Sequence, residues 1–431
     1  MRFTISSAAV LAMSLSGSVV AQDQAPSAPR SCSSITVPNP NAPERKPAPG
    51  LMTERSHNTL TKLYELVAEE KYVEAVDGFN TLLERTKSDA YTQAVVLQAI
   101  GHVRASQERY DEAVNYFKQS VNLDILPNRT QYQVMFQIAQ LEVIQDQFRA
   151  GLQSLDRWFQ ATDEISVSAY ELQANAYANL EEYRPAITSI KKAIAMCDTP
   201  KESWYNLLLA MHFELKEYPE AAEVLEILVA MVPEKRIYWT QLSSMYMQLK
   251  LDKKALATLA LAHRRGLLDQ ESDYVQLYQL YGFMEIPYKA AEILQEGLDK
   301  GIIEPTKQRW EDLANAYYAA RELDNALVAF EKAADLSLDG KLDMQRAYLL
   351  VELERWGQAR EALAAAIEKG GLSDRETGNA LVMHGMALYE LCDGDAAETQ
   401  FRQALRHESS RSSAQQWINH LGEGRSARSC A

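Results

Sequence analysis

The stretch QRWEDLANAYYAARELDNALVAFEKA, residues 308–333, decides the fold. Trp310, Leu313, Ala314 and Tyr317 stand at i, i+3, i+4 and i+7, the spacing of one helix face. Ala326, Phe330 and Ala333 then open a second helical pattern. Small residues at fixed points let two helices approach, and the large ones fill the groove between them. The stretch therefore predicts a helical hairpin.

The second half of this hairpin recurs along the chain. It reads KYVEAVDGF at Lys71, RYDEAVNYF at Arg109, QFRAGLQSL at Gln147, EYRPAITSI at Glu182 and EYPEAAEVL at Glu217. It continues as LDKKALATL at Leu251, IPYKAAEIL at Ile286, ELDNALVAF at Glu322, RWGQAREAL at Arg355 and DGDAAETQF at Asp393. The small residue falls at Ala75, Ala113, Gly151, Ala186, Ala221, Ala255, Ala290, Ala326, Ala359 and Ala397, with steps of 33 to 38 residues. Upstream of each copy lies the pattern of a first helix, as at Trp239, Leu242 and Tyr246 or at Tyr274, Leu277 and Tyr281. Pro127, Pro200, Pro233 and Pro305 mark connections, where a helix cannot continue through proline. A lone hairpin cannot bury both apolar faces, so the repeats must stack and the ends need caps. Residues 412–421, SSAQQWINHL, read as a capping helix that covers the last pair with Trp417 and Leu421.

A constant step of about 34 residues with these residue types resembles the tetratricopeptide repeat, over residues 53–421. The resemblance implies an all-α, right-handed superhelical solenoid of about ten helix-turn-helix repeats with a C-terminal capping helix. It also implies a binding role, with the first helix of each repeat lining a concave face. On that face the inward residues are Glu171 and Asn175, then Asn206 and Phe213, then Glu311, Asn315 and Tyr318. Amide side chains there donate to and accept from an extended peptide backbone, and the aromatic rings supply apolar contact. The alternative is an ordinary solvated groove. One subclass of the family grips a terminal carboxylate with Lys–Asn–Lys. Here Asn175 and Asn315 match the Asn, but Glu171 and Glu311 stand where Lys would, which disfavours that clamp and favours a basic ligand.

The rest of the chain frames this body. Arg2 and the apolar run that follows it read as an export signal, residues 1–21, with small residues before Gln22 for cleavage. A retained anchor is the alternative; the run is short and broken by Ser14, Ser16 and Ser18. A proline-rich linker, residues 22–52, with seven prolines between 22 and 50, reads as a flexible spacer. Residues 422–431 read as a disordered tail. Export places the chain in the periplasm, where disulfides are permitted. Cys197 and Cys392 lie in helical patterns and read as buried free thiols. Cys32 and Cys430 sit near opposite ends, and pairing them needs the ends to meet.

Composition narrows function. A net charge of −15 repels nucleic acid and anionic membranes and suits a partner with a basic segment; an ordinary solvated acidic surface carries the same charge. No H-E-x-x-H, G-x-S-x-G or Walker loop is present, and the seven histidines show no metal-ligand spacing with the cysteines. No enzyme, cofactor or metal site is expected. The phrases HRRGLL at His263, IPYKAA at Ile286 and GLDKGIIE at Gly297 resemble exported proteobacterial repeat proteins encoded beside TonB, ExbB and ExbD. That resemblance implies a periplasmic scaffold or adaptor accessory to TonB-type energy transduction, with components of that system as partners. The rival readings are a periplasmic chaperone or envelope assembly factor and, last, a glycan-processing enzyme, for which the repeats leave no room.

Overall fold

The computed structural model describes residue 32, residues 35–47 and residues 50–424. The expected signal segment, residues 22–31, the tail beyond 424 and Cys430 lie outside the described residues. The chain divides into two compact units, one up to Met231 and one from Val232.

In the first unit five hairpins follow one another. They are α1 (Glu54–Ala68) with α2 (Tyr72–Arg85), α3 (Ala90–Ser106) with α4 (Tyr110–Asn122), and α5 (Asn128–Ile144) with α6 (Phe148–Ala161). Then come α7 (Val167–Asn179) with α8 (Tyr183–Ala195), and α9 (Glu202–Glu214) with α10 (Tyr218–Met231). The second unit holds α11 (Arg236–Gln248) with α12 (Asp252–Arg264), α13 (Glu271–Phe283) with α14 (Pro287–Asp299), and α15 (Lys307–Ala319) with α16 (Leu323–Asp335). It ends with α17 (Lys341–Glu352) and α18 (Trp356–Lys369), α19 (Asp374–Glu390) and α20 (Gly394–Ala404), and a last helix α21 (Arg411–Gly424). Ten hairpins and a cap among the described residues agree with the repeat count read from the sequence. The cap is longer than the expected 412–421, so residues 422–424 belong to it rather than to a tail. Its Trp417 stacks on Phe401 with ring centroids 5.5 Å apart, and Ala414 and Leu421 are buried.

The recurring small residue works as expected. Nine alanines and Gly151 at that place are buried in all ten hairpins. So is the anchor four residues on: Phe79, Phe117, Leu155, Ile190, Leu225, Leu259, Leu294, Phe330, Leu363 and Phe401. Each such anchor contributes about 1.5–3 kcal/mol of burial. At two of the four phenylalanine anchors the opposing helix gives way with a glycine. A Cβ on Gly385 would lie 2.5 Å from the Phe401 ring, and Gly101 stands in the same relation to Phe117. The first hairpin inverts this solution, with Leu63 opposite Phe79 and its side chain pressed into the space left by Gly78.

Each hairpin turn repeats one backbone device. Glu70, Glu108, Asp146, Glu181, Lys216, Lys250, Glu285, Arg321, Glu354 and Cys392 all take positive φ, between 55° and 66°. Each stands five residues before the buried small residue, so the turns keep the period of the repeat. At the first turn the Lys71 amide donates to the Leu66 carbonyl at 2.9 Å and the Glu70 amide to Val67 at 3.0 Å. That pair of bonds satisfies the last carbonyls of the helix with a left-handed residue after its C-cap. The left-handed place usually goes to glycine, which has no Cβ to strain; this chain fills it with polar residues and one cysteine.

Two expectations need correction. The proline-rich segment is not a free spacer where it is described: residues 35–47 lie on the first unit. Within it β1 (Thr36–Pro38) pairs antiparallel with β2 (Glu164–Ser166), between α6 and α7. Backbone bonds and single polar anchors hold it, and these leave no apolar periodicity to read. Cys197 and Cys392 are not free thiols. Cys197 is bonded to Cys32, with Cα atoms 5.6 Å apart, and Cys392 is also in a disulfide.

Candidate functional site

The first helices of the hairpins carry the candidate residues, and they fall in both units. In the first unit Glu171 and Asn175 lie on α7 and Asn206 and Phe213 on α9. In the second, Glu311, Asn315 and Tyr318 lie on α15.

Glu171 differs from its expected role. The Lys201 ammonium sits 2.9 Å from its carboxylate and 5.0 Å from the Trp204 ring centre. The acid is neutralised by the chain itself and offers little to a basic ligand. Asn175 is half-buried, and its carbonyl accepts the Asn179 side-chain amide at 2.9 Å. Asn206 is exposed, as is Phe213. Glu311 is half-buried, while Asn315 and Tyr318 face solvent.

The α15 residues extend into a stripe that sequence reading saw only in part. Glu311, Asn315 and Tyr318 are the fifth, ninth and twelfth residues of their helix. The same places on α11 hold Thr240, Ser244 and Met247. On α13 they hold Val275 and Gln279, and Phe283 stands one place beyond Gly282. With the second residues Ile237, Ser272 and Gln308, these helices present twelve positions, all exposed or half-exposed, of which only Glu311 is charged. In a chain with 24% charged residues, so little charge on a solvent-facing stripe is unusual. Met247, Phe283 and Tyr318 are 42%, 69% and 42% exposed. The signal that would have found Ser244, Met247 and Gln279 was available: their ordinal place in each first helix.

Neighbouring helices are tied together beside the stripe. Gln276 on α13 donates to Ser244 on α11 at 3.2 Å. Tyr278 donates to Asp312 on α15 at 2.8 Å and accepts from Arg309 at 2.9 Å. Burial, then the hydrogen bond to Asp312, push the Tyr278 hydroxyl up to about 12, so it stays protonated. Arg236 on α11 places one guanidinium nitrogen 2.7 and 2.9 Å from the two oxygens of buried Asp273 on α13. Asp273 also caps its own helix with Gln270. These bonds fix the spacing of the helices that bear the stripe.

Other polar groups serve packing. Buried Glu142 takes Lys118 and Ser154, each at 2.6 Å. Burial holds the His102 and His384 imidazoles below their usual range. Among the described residues, no group of three or more His, Cys, Asp or Glu is placed to hold a metal ion, and no helix is long and apolar enough to cross a membrane.

The described elements are those of an all-α array of helical hairpins. Tetratricopeptide repeat models match residues 94–124, 167–199 and 344–410, and these stretches are repeats of that type. No curated protein matches the chain. Among solved structures it is similar to a tetratricopeptide repeat protein from Parabacteroides merdae ATCC 43184, at 13% identity and a TM-score of 0.36, over 66% of this chain and 94% of that one. It is similar to YrrB, a repeat protein with an unusual peptide-binding site, at 17% identity and a TM-score of 0.33, over 46% of this chain and 98% of that one. It also matches the Cut9–Hcn1 structure of the APC/C at 11% identity and a TM-score of 0.26, over 87% and 91%.

Proposed function

We propose that the chain is a protein-binding scaffold that takes an extended segment of a partner along the stripe on α11, α13 and α15. The observation that carries this reading is the near absence of charge there, with Met247, Phe283 and Tyr318 exposed beside Ser244, Gln279 and Asn315. Apolar side chains alone would suit any greasy surface. Hydroxyls on α11 and amides on α13 and α15 suit a partner whose own backbone groups are free to bond, hence an extended segment rather than a helix. A charged partner segment would lose water there and meet only Glu311.

The finer reading is an exported, periplasmic adaptor that serves a TonB–ExbB–ExbD system. The signal-like start and the disulfides at Cys197 and Cys392 support an oxidising compartment. The TonB link rests on the phrases at His263, Ile286 and Gly297 alone.

A photo-crosslinking residue at Phe283 or Tyr318, compared with one at exposed Val328 on α16, tests the surface in the envelope fraction. The expected result is one dominant adduct from Phe283 and Tyr318 and none from Val328. Equal labelling at all three would sink the surface, many adducts would point to a chaperone, and an adduct with no TonB, ExbB or ExbD peptide would remove that link.

A further inference from the structure

In the first unit the segment 35–47, with Cys32 before it and Gly50 after it, meets four successive inter-repeat links in reverse order. At the α8–α9 link Cys32 is bonded to Cys197. At the α6–α7 link β1 pairs with β2, the Val167 amide donates to the Ile35 carbonyl at 3.1 Å, and the Asn39 amide donates to Asp163 at 2.8 Å. The Asn39 side chain adds donations to the Phe159 and Thr162 carbonyls at 2.9 and 2.8 Å. At the α4–α5 link the Arg45 side chain, 15% exposed, lies 2.8 Å from Asp124. It donates to the Leu126 carbonyl and to Asn128, each at 2.8 Å, and Asn128 donates back to the Arg45 carbonyl at 3.2 Å. At the α2–α3 link Gly50 lies against the Tyr91 ring, where a Cβ has no room.

Repeat stacking binds each hairpin only to its neighbours. A chain segment that contacts four links in turn adds a restraint of longer range. We propose that this segment is a strap that holds the inter-repeat links of the first unit in register, with the Cys32–Cys197 disulfide as its lock. Closing a loop across 165 residues confines the chain strongly. The lock sits at the link that also carries Lys201, the partner of Glu171. Opening it therefore frees the link that sets the α7–α9 spacing. Opening requires a dithiol reductant: the bond between the two sulfur atoms breaks, two electrons and two protons arrive, and the dithiol leaves as a disulfide. The consequence for partner binding at α7 and α9 rests on the binding role proposed above; the strap itself does not.

Hydrogen exchange on the full chain tests the strap without any partner. The double variant Cys32→Ser, Cys197→Ser leaves the disulfide of Cys392 intact, and wild type treated with dithiothreitol serves beside it. Exchange is expected to rise about tenfold or more at residues 35–38, 163–167 and 196–201, with α11–α17 unchanged. A second variant, Arg45→Ala with the lock closed, is expected to raise exchange at residues 123–128 and leave 196–201 protected. Unchanged exchange at these links, or an even rise through every helix of the first unit, overturns the proposal. If the cysteine variant does not fold, Arg45→Ala decides: no change at residues 123–128 removes the strap.

Discussion

At Glu285 the backbone takes φ 57° to close the α13–α14 turn. A side chain there crowds the following carbonyl, which costs about 1–2 kcal/mol and is relieved by glycine. Glycine also widens the unfolded ensemble, so the net gain is smaller. Glu285→Gly is expected to stabilise the second unit by about 0.5–1 kcal/mol, read as a raised urea midpoint. An alanine at the same place should give no gain. Single residues also set the acid limit. Burial lowers the pKa values of His102 and His384 below the unfolded value of 6.5, so the unfolded chain binds protons that the fold resists. Their contribution is full above pH 6.5 and is lost as pH falls toward the folded values. Hydrogen bonds, from His212 and from Ser373, place Glu217 and Glu376 below the ordinary 4.5, so their loss begins only in a more acidic window. Unfolding midpoints between pH 7 and 5 should fall for wild type and fall less for His102→Gln, His384→Gln. Equal slopes would show that other groups govern that range.

At the scale of the element, the helices read clearly and their ties did not. Ten second helices announced themselves through one small residue and one anchor, because burial against a neighbour demands those residue types at that spacing. Asp273 gave no such signal. It looks like one more surface acid, yet it is buried, bonded to Arg236 on the preceding first helix, and part of its own helix cap. Asp273→Ala removes the buried partner of a guanidinium that is only 24% exposed and leaves it the exposed Asp269 carboxylate at 3.3 Å. The expected cost is about 2–4 kcal/mol. Since repeats couple to their neighbours, exchange should rise in α11–α14 first, while α19–α21 keep their protection. A uniform rise through the second unit would show that its hairpins unfold as one.

At the scale of the molecule, the stripe divides the legible from the hidden. Asn315 and Tyr318 were placed on the face through their distance from Trp310 and Leu313. Glu171 was placed the same way, but its partner Lys201 gave no sign, because it lies 30 residues away in the link before α9. Phe283 escaped because it sits one residue past its ordinal place, behind Gly282. What the sequence determined by itself was the all-helical hairpin array, its count and its cap. Those depend on periodic burial, and periodic burial writes itself into every repeat. Only the tertiary structure decided the course of residues 35–47, the Cys32–Cys197 bond and the pairing of Glu171. These depend on single contacts between distant residues, held by backbone groups and lone side chains, and a contact made once has no period to betray it.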